Sequence, residues 1–192
     1  GRRPVESLVR AEERLAFRYP AGGPSAPEEA MKNIRVEPTF DLSLVAAEPL
    51  TPKPISIDWD AHGRMCVALT PEYPLKDDAS PRKDSIVILD DSNRDGRMDN
   101  RTVFADGLVL PTSFVFHRDG VIVAQAPQIL FLRDTDGDRR ADRREILFDG
   151  FGIHDTHAVI NNLRWGLDGW VYGCQGDSGN DSTNIVNARG RG

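Results

Sequence analysis

The feature that most constrains the fold of this chain is an internal repeat. Residues 85–91 match residues 128–134, and residues 103–107 match residues 146–150, in both cases at an offset of 43 residues. An offset that stays constant over more than twenty residues indicates two copies of one structural unit, because unrelated segments do not keep such a register. Each copy has the pattern of two apolar strands joined by an Asp-rich loop.

A second unit alternates with the first. It consists of an apolar strand, a glycine turn and another apolar strand, and it recurs around Gly63, Gly120 and Gly169. Glycine suits a hairpin turn because it reaches positive φ without a steric penalty. Together the two units give four strands in a period of roughly 43 to 57 residues, which is typical of the blades of a β-propeller.

The repeat therefore predicts an all-β fold. We expect an incomplete β-propeller of about three blades over residues 28–192, preceded by an N-terminal extension and linker over residues 1–27. A closed propeller has about four to eight blades, so the chain is expected to be a fragment of a larger ring. Because open strand edges favour pairing with other chains, the isolated chain is expected to be poorly soluble or oligomeric.

Three local features are predicted outside the repeat. A helix is predicted over residues 7–18, and a short second helix is predicted to start with Ser25 as its N-cap and to run through Met31. Residues 40–47 alternate between apolar and polar side chains, which predicts a strand.

Composition excludes several functional classes. The chain is 39% hydrophobic and 28% charged, as a globular protein is, and its net charge of −6 argues against a nucleic-acid-binding surface. No run of 18 apolar residues is present, so no membrane span is expected. The chain shows no signal peptide and begins without Met, and both ends are interpreted as cuts from a longer protein. Neither Cys66 nor Cys174 belongs to a CxxC motif, and both are expected to be buried thiols rather than a disulfide or a reactive site.

Two Asp-rich loops, residues 91–99 and 134–142, hold much of the acidic charge. Both have oxygen-bearing side chains at positions 1, 3, 5 and 9, as in the first half of a calcium loop. Alternate residues of a tight turn bring several carboxylates to one point, where a hard divalent cation relieves their repulsion. The predicted calcium ligands are the side chains of Asp91, Asn93, Asp95 and Asp99 with the backbone carbonyl of Arg97 in the first loop, and the side chains of Asp134, Asp136, Asp138 and Asp142 with the carbonyl of Arg140 in the second.

The two loops differ at two positions of the calcium pattern. Position 12 is Thr102 in the first loop and Glu145 in the second, and position 6 is Gly96 in the first and Arg139 in the second. Because a side chain in the left-handed conformation costs about 1 kcal/mol or more, the second loop is expected to bind calcium less well. A bound metal is expected to be structural rather than catalytic. The alternative is a pair of solvated hairpin turns without metal.

The polar segment 150–169 supplies the candidate catalytic residues. His157 is a candidate general base, since the pKa of histidine lies near neutrality. Asp155 is a candidate to orient a neighbouring histidine, and Arg164 to pair with an anionic cofactor or substrate. The alternative for His157 is an ordinary loop histidine, which is the favoured interpretation of His154.

The other histidine and tryptophan side chains have structural interpretations. His62 and His117 occupy equivalent hairpin turns and are expected to be solvated. Trp59, Trp165 and Trp170 lie in strands or turns and are expected to pack within the blades.

Five short motifs lie between roughly residues 25 and 180: Pro27–Lys32, Val45–Leu50, Glu72–Pro74, Phe104–Leu108 and Asn162–Gly173. Together they resemble the N-terminal propeller domain of the planctomycete-type membrane-bound dehydrogenase proteins. That domain is in turn similar to the soluble quinoprotein glucose/sorbosone dehydrogenases.

The resemblance implies a six-bladed propeller that uses pyrroloquinoline quinone and calcium to oxidise a sugar or an alcohol. It implies that His157 is the base that takes a proton as hydride passes to the quinone. In such an enzyme Arg164, the candidate anion contact, is the predicted cofactor-binding residue. The resemblance also implies export to the periplasm or the cell surface, and a c-type haem domain downstream in the same polypeptide as a partner. The Gly-Pro-Asp-Gly hairpin of the quinoproteins corresponds to Gly166–Gly169, with Leu167 in place of the proline.

A second hypothesis belongs to a different functional class. The chain would be a non-catalytic, calcium-stabilised propeller that binds carbohydrate or protein within a larger haem-bearing protein. Further Arg and Lys residues lining the cofactor would favour the enzyme over this binding module.

Overall fold

The computed structural model describes residues 23–75, 81–176 and 185–188. The chain divides into two compact units, residues 1–44 and 45–192. The first unit contributes one short helix to the described residues, and the second contributes the β-strands.

The helix, α1, spans Pro27–Met31. Its N-cap is Ala26 rather than the predicted Ser25, and no side chain caps it. Proline suits the first helical position because the N–H that it lacks would have no partner there. Among the described residues no helix is long and apolar enough to cross a bilayer. The helix predicted over residues 7–18 lies outside the described residues.

The prediction of a strand over residues 40–47 is wrong. These residues form neither helix nor strand, and Phe40 and Leu42 are exposed. Alternation predicts a strand only where a neighbouring strand offers its backbone hydrogen-bonding groups. Among the described strands none pairs with this segment.

The strands form antiparallel sheets, so the prediction of an all-β fold is confirmed. In chain order the strands are β1 (Pro54–Trp59), β2 (Met65–Leu69), β3 (Asp84–Asp90), β4 (Asn100–Leu108), β5 (Ser113–His117), β6 (Gly120–Gln125), β7 (Gln128–Arg133), β8 (Arg143–Asp149), β9 (Asn161–Trp165), β10 (Val171–Cys174) and β11 (Val186–Asn187). Sheet 1 has the order β1-β2-β3-β4 and sheet 2 the order β5-β6-β7-β8, with β11 on the outer edge of β8. Sheet 3 is the hairpin of β9 and β10.

Sheet 1 is buried on both faces at its central strands. All five residues of β2 are buried, and their side chains alternate between the two faces, as the pleat of a strand requires. Cys66 and Ala68 belong to the core cluster on one face, whereas Met65 and Val67 belong to the cluster on the other. Burial on both sides explains why this strand is an uninterrupted apolar run in the sequence.

The three sheets pack face to face in chain order. Sheet 1 packs against sheet 2 through a cluster that includes Cys66 and Phe114. The opposite face of sheet 2 packs against sheet 3 through Val115 and Leu163. The first strands of the sheets, β1, β5 and β9, are neighbours in that order, so the segments that enter the sheets are brought together.

The three predicted glycine turns are present, but one glycine is needed for a different reason. Gly63 and Gly169 have positive φ values of 74° and 81°, as predicted. In the β5–β6 turn the residue with positive φ is Arg118, at 53°. Gly120 is required by close packing instead, because a Cβ atom there would lie 2.0 Å from the carbonyl oxygen of Leu132 on β7.

Some side chains that the sequence predicted to be buried are buried in the structure, whereas others in sheet 1 and sheet 3 are exposed. Cys66 is buried as predicted, and burial raises the pKa of its thiol to about 12. The prediction for Cys174 is wrong: the thiol is free and exposed, since β10 is the edge of a two-stranded sheet. Trp59 on β1 and Trp170 beside β10 are also exposed rather than packed.

The prediction that His117 is solvated is also wrong. Its ring stacks on that of Trp165, with 5.6 Å between the ring centroids and 29° between the planes. It also meets the Phe131 ring at 5.6 Å and 62°. Nε1 of Trp165 donates a hydrogen bond of 2.8 Å to the carbonyl oxygen of Phe116, so β9 is tied to the end of β5.

Candidate functional site

A cavity of about 510 Å³ lies where β1, β5 and β9 come together. We call this cavity the inner cleft. Its polar lining includes Tyr73, Thr112, Thr156, His157, Asn162 and Arg164. The two candidate residues from the sequence, His157 and Arg164, therefore line one cavity. His154 does not line it within the described residues.

The imidazole of His157 is held on two sides. Its Nδ1 lies 3.1 Å from Oδ1 of Asp155, which also accepts the backbone N–H of His157 at 2.9 Å. The ring of Tyr73 meets the imidazole edge to face, with 5.6 Å between the centroids and 88° between the planes. The expected pairing of Asp155 with a neighbouring histidine is thus present, and Nε2 is the ring nitrogen that does not face the carboxylate.

Arg164 supplies the charge of the inner cleft. It lies on β9 opposite Tyr172 of β10 and is exposed. Its guanidinium has no hydrogen bond or ion pair among the described residues. The described lining contains no Asp or Glu, so the cleft presents a positive charge without a counter-ion.

The sequence did not predict that Tyr73 and Thr112 line the cleft. Tyr73 lies in the turn after β2, where its N–H donates to the carbonyl oxygen of Thr70 at 3.1 Å. The hydroxyl of Thr112 donates to the carbonyl oxygen of Ile160 at 2.6 Å and so anchors the segment that leads into β9. Tyr73 falls within one of the family-like motifs, but nothing local in the sequence connects it to His157.

The two Asp-rich loops form a second, separate feature, and they join the outer strands β3–β4 and β7–β8. The 43-residue repeat in sequence is also a repeat of hydrogen bonds. In each loop the carboxylate of position 1 accepts the N–H of position 6: Gly96 donates to Asp91 at 2.8 Å, and Arg139 donates to Asp134 at 2.9 Å. Because these contacts lie within one loop, each sequence copy folds in the same way.

The ninth position closes each loop. In the first loop both carboxylate oxygens of Asp99 accept hydrogen bonds from Ser92, one from its N–H and one from its hydroxyl. Thr135 donates to Asp142 in the same way in the second loop. The hydroxyl donors hold the pKa of both carboxyl groups below its ordinary value.

The carboxylates of the second loop converge. Asp134, Asp136 and Asp138 each place an oxygen within 4.8 Å of the others. In the first loop Asn93 replaces the central carboxylate, and its Nδ2 donates to Oδ2 of Asp95 at 3.0 Å. The second loop therefore concentrates more negative charge than the first.

The strain expected in the second loop alone, a non-glycine residue in the left-handed region, is present in both loops. Arg139 has a positive φ of 69°, as predicted for position 6, and Gly137 at position 4 has 84°. In the first loop the glycine and the arginine are in the opposite order: Arg94 at position 4 has a φ of 62°, and Gly96 at position 6 has a φ of 88°. Since each loop holds one arginine in the left-handed region, this strain does not make the second loop the weaker one.

Comparison with known proteins identifies the family of the chain. Residues 26–191 match the domain family described as a domain of unknown function (DUF7133). No curated protein and no solved structure matches the chain. Because the match covers most of the sequence, this chain belongs to the DUF7133 family, a domain of unknown function.

Proposed function

We propose that this chain is part of a β-propeller with the inner cleft at its axis, and that the cleft oxidises a sugar or an alcohol in the manner of a quinoprotein-like dehydrogenase. The propeller is supported by two successive antiparallel sheets in which strands β1 to β4 and β5 to β8 follow the chain order, with β11 as a fifth strand at the edge of the second. It is also supported by the neighbouring positions of the first strands β1, β5 and β9. Two sheets and a hairpin are fewer than the four to eight blades of a ring, so the proposed ring needs further sheets.

One observation carries the enzymatic proposal: His157, paired with Asp155, lines the same cavity as Arg164. A histidine with Nδ1 on a carboxylate presents Nε2 as a base, and the carboxylate stabilises the imidazolium that forms. In the proposed reaction Nε2 of His157 takes the proton of a substrate hydroxyl. Arg164 binds an anionic group in the cleft.

Whether pyrroloquinoline quinone fits the cleft depends on the cations that line it. Arg164 is the one permanent cation in the described lining, and a guanidinium matches one carboxylate in a two-point contact. The quinone is a tricarboxylate, so the other two carboxylates need cations beyond these residues. Arg164 would hold the quinone by one carboxylate, and the bound quinone would supply the two-electron acceptor that the oxidation requires.

We also propose that at least one Asp-rich loop binds calcium in a structural role. The convergence of Asp134, Asp136 and Asp138 supports this proposal, since carboxylates gathered in a tight loop are the ligands that calcium prefers. The structural role is supported by the position of the loops between outer strands, with no loop residue in the described lining of the inner cleft.

A second candidate function is a calcium-stabilised propeller that binds carbohydrate or protein without catalysis. The openness of the cleft favours it: the side chain of His157 is 75% exposed, whereas catalytic groups usually work where water is excluded. In this alternative His157 and Arg164 contact the ligand through hydrogen bonds and charge only.

The enzymatic proposal is tested with the full-length protein, calcium and added pyrroloquinoline quinone. Reduction of an artificial dye is followed across a panel of sugars and alcohols. His157→Ala should lower kcat by a factor of about 10² to 10⁴, the contribution of a general base. His154→Ala is the matched control and should leave the rate unchanged. The absence of both turnover and quinone binding would favour the binding module.

A further inference from the structure

We infer that the inner cleft binds an acidic sugar, a small polyhydroxylated carboxylate, with its carboxylate on Arg164. The inference rests on the proposed function in taking the inner cleft as the ligand site, and it names the class of ligand. It replaces the quinone carboxylate proposed above with a substrate carboxylate as the partner of Arg164, so that a bound quinone would be held by cations outside the described lining.

The charge of the cleft favours an anion. Arg164 has no ion pair among the described residues, and the described lining of the cleft contains no carboxylate. Arg64 and Arg133 of the same unit, by contrast, are neutralised within the protein, by Asp60 and Asp119 respectively. A guanidinium at a cavity without a counter-ion stabilises a carboxylate ligand through two parallel, charge-assisted hydrogen bonds.

The neutral polar groups of the cleft divide into two sets. The hydroxyl of Thr112 donates to the carbonyl oxygen of Ile160, and the hydroxyl of Ser113 accepts the N–H of Leu163. These groups are committed to the fold. The side chains of Thr156 and Asn162 line the cleft without such a hydrogen bond among the described residues. They are the groups placed to meet ligand hydroxyls.

The size and the apolar part of the lining fit the same ligand class. A volume of about 510 Å³ lies within the range of about 300 to 1,000 Å³ that is usual for small-molecule sites. Ile55 and Ile57 are exposed and offer apolar surface beside the polar groups. A sugar ring has both a C–H face and a rim of hydroxyls, and an acidic sugar adds the carboxylate that Arg164 requires. A neutral sugar would leave this cation without a partner.

The inference is tested by calorimetric titration of the full-length protein with glucuronate and with glucose, without added quinone. Glucuronate should bind at least about tenfold more tightly, and its Kd should rise with salt because charge screening weakens the contact. Arg164→Gln should bring the two Kd values to within about twofold of each other. Arg143→Gln, which removes an exposed arginine of β8 outside the cleft, should change neither value.

Two further arms separate this inference from the proposed reaction. His157→Ala should retain the preference for glucuronate, since the carboxylate contact does not use the base. Titration with pyrroloquinoline quinone alone tests whether Arg164 instead binds a carboxylate of the cofactor. The inference is overturned if glucose and glucuronate bind equally, if neither binds, or if Arg164→Gln weakens only the quinone. If the Arg164→Gln variant oxidises a neutral sugar as fast as the wild type does, the inference about Arg164 is overturned. The proposal that His157 is the base would still stand.

Discussion

Arg139, in the second Asp-rich loop, donates a hydrogen bond from Nη1 to Oδ2 of Asp90 over 3.1 Å. Asp90 immediately precedes the first loop, so this ion pair joins the two loops across sheets 1 and 2. Both side chains are partly exposed, and an ion pair of this kind contributes about 0.5 kcal/mol or less. The pair therefore connects the two loops but adds little to the stability of the fold.

Replacing the left-handed arginines by glycine is expected to stabilise the fold, because glycine adopts positive φ without strain. Arg94→Gly should raise the free energy of unfolding by up to about 1 kcal/mol. Arg139→Gly should give a smaller gain, since it also removes the ion pair with Asp90. Urea denaturation measures both changes. Arg94→Ala keeps the strain and should give no gain, and a loss of stability in both glycine variants would contradict the expectation.

Calcium is expected to raise the Tm of the protein. At a concentration of about 100 times Kd, the proposed binding would add about 2.7 kcal/mol to the free energy of unfolding. The double variant Asp134→Asn, Asp136→Asn should lose the part of this shift that comes from the second loop, because it removes two converging carboxylates. Asp106→Asn, at an exposed position of β4, is the control and should keep the full shift. A Tm that does not respond to calcium would rule out both loops as metal sites.

The stability of the fold is expected to depend on the pH through Asp84. This carboxyl is fully buried and accepts the N–H groups of Leu110 at 2.8 Å and Glu72 at 3.2 Å. Burial raises its pKa above the ordinary value of 3.8, although these two donors act in the opposite direction. The folded state therefore holds the proton to a higher pH than the unfolded state does. By linkage, the free energy of unfolding falls as the pH rises from about 4 through the pKa of the folded state.

Asp84→Asn tests that dependence. The variant should lack this fall in stability with pH, because asparagine does not titrate. It should also be less stable by about 1 to 3 kcal/mol, since one amide oxygen cannot serve both N–H donors as well as a carboxylate does. Chemical denaturation over a series of pH values measures both effects. The same slope in wild type and variant would show that Asp84 is not the titrating group.

Thiol labelling of the 192-residue chain is expected to separate the two cysteines. Cys174 is exposed and should react rapidly with a disulfide reagent at mildly alkaline pH. Cys66 is buried and its pKa is raised to about 12, so it should react only after unfolding. Cys174→Ser should abolish the rapid phase. Rapid labelling that persists in this variant would mean that the core between sheets 1 and 2 is open.

Asp155→Asn is expected to lower kcat in the proposed oxidation while leaving KM nearly unchanged. Asparagine can still accept the backbone N–H of His157, but it no longer stabilises the positive charge on the imidazole. The loss should approach that of His157→Ala, since Asp155 acts through the histidine. Steady-state kinetics with the quinone-loaded protein give the comparison. An unchanged kcat would assign Asp155 a purely structural role in its turn.

The sequence by itself determined those features whose contacts are local. The hairpins follow from the apolar alternation and the turn glycines. The twin loops follow from side chains that bond within a few residues, as Asp91 does with Gly96. Their 43-residue offset predicted equal geometry because equal local sequences form equal local hydrogen bonds. The pairing of Asp155 with His157 was within reach for the same reason.

Only the tertiary structure decided the features that depend on packing between distant segments. Tyr73 meets His157 because β1 and β9 both adjoin β5, and no local pattern encodes that contact. His117 is stacked rather than solvated because Trp165 reaches it from another sheet. Cys174 is exposed because its strand lies at a sheet edge. An apolar pattern predicts that a strand has a face to bury, whereas the arrangement of the sheets decides which residues cover that face.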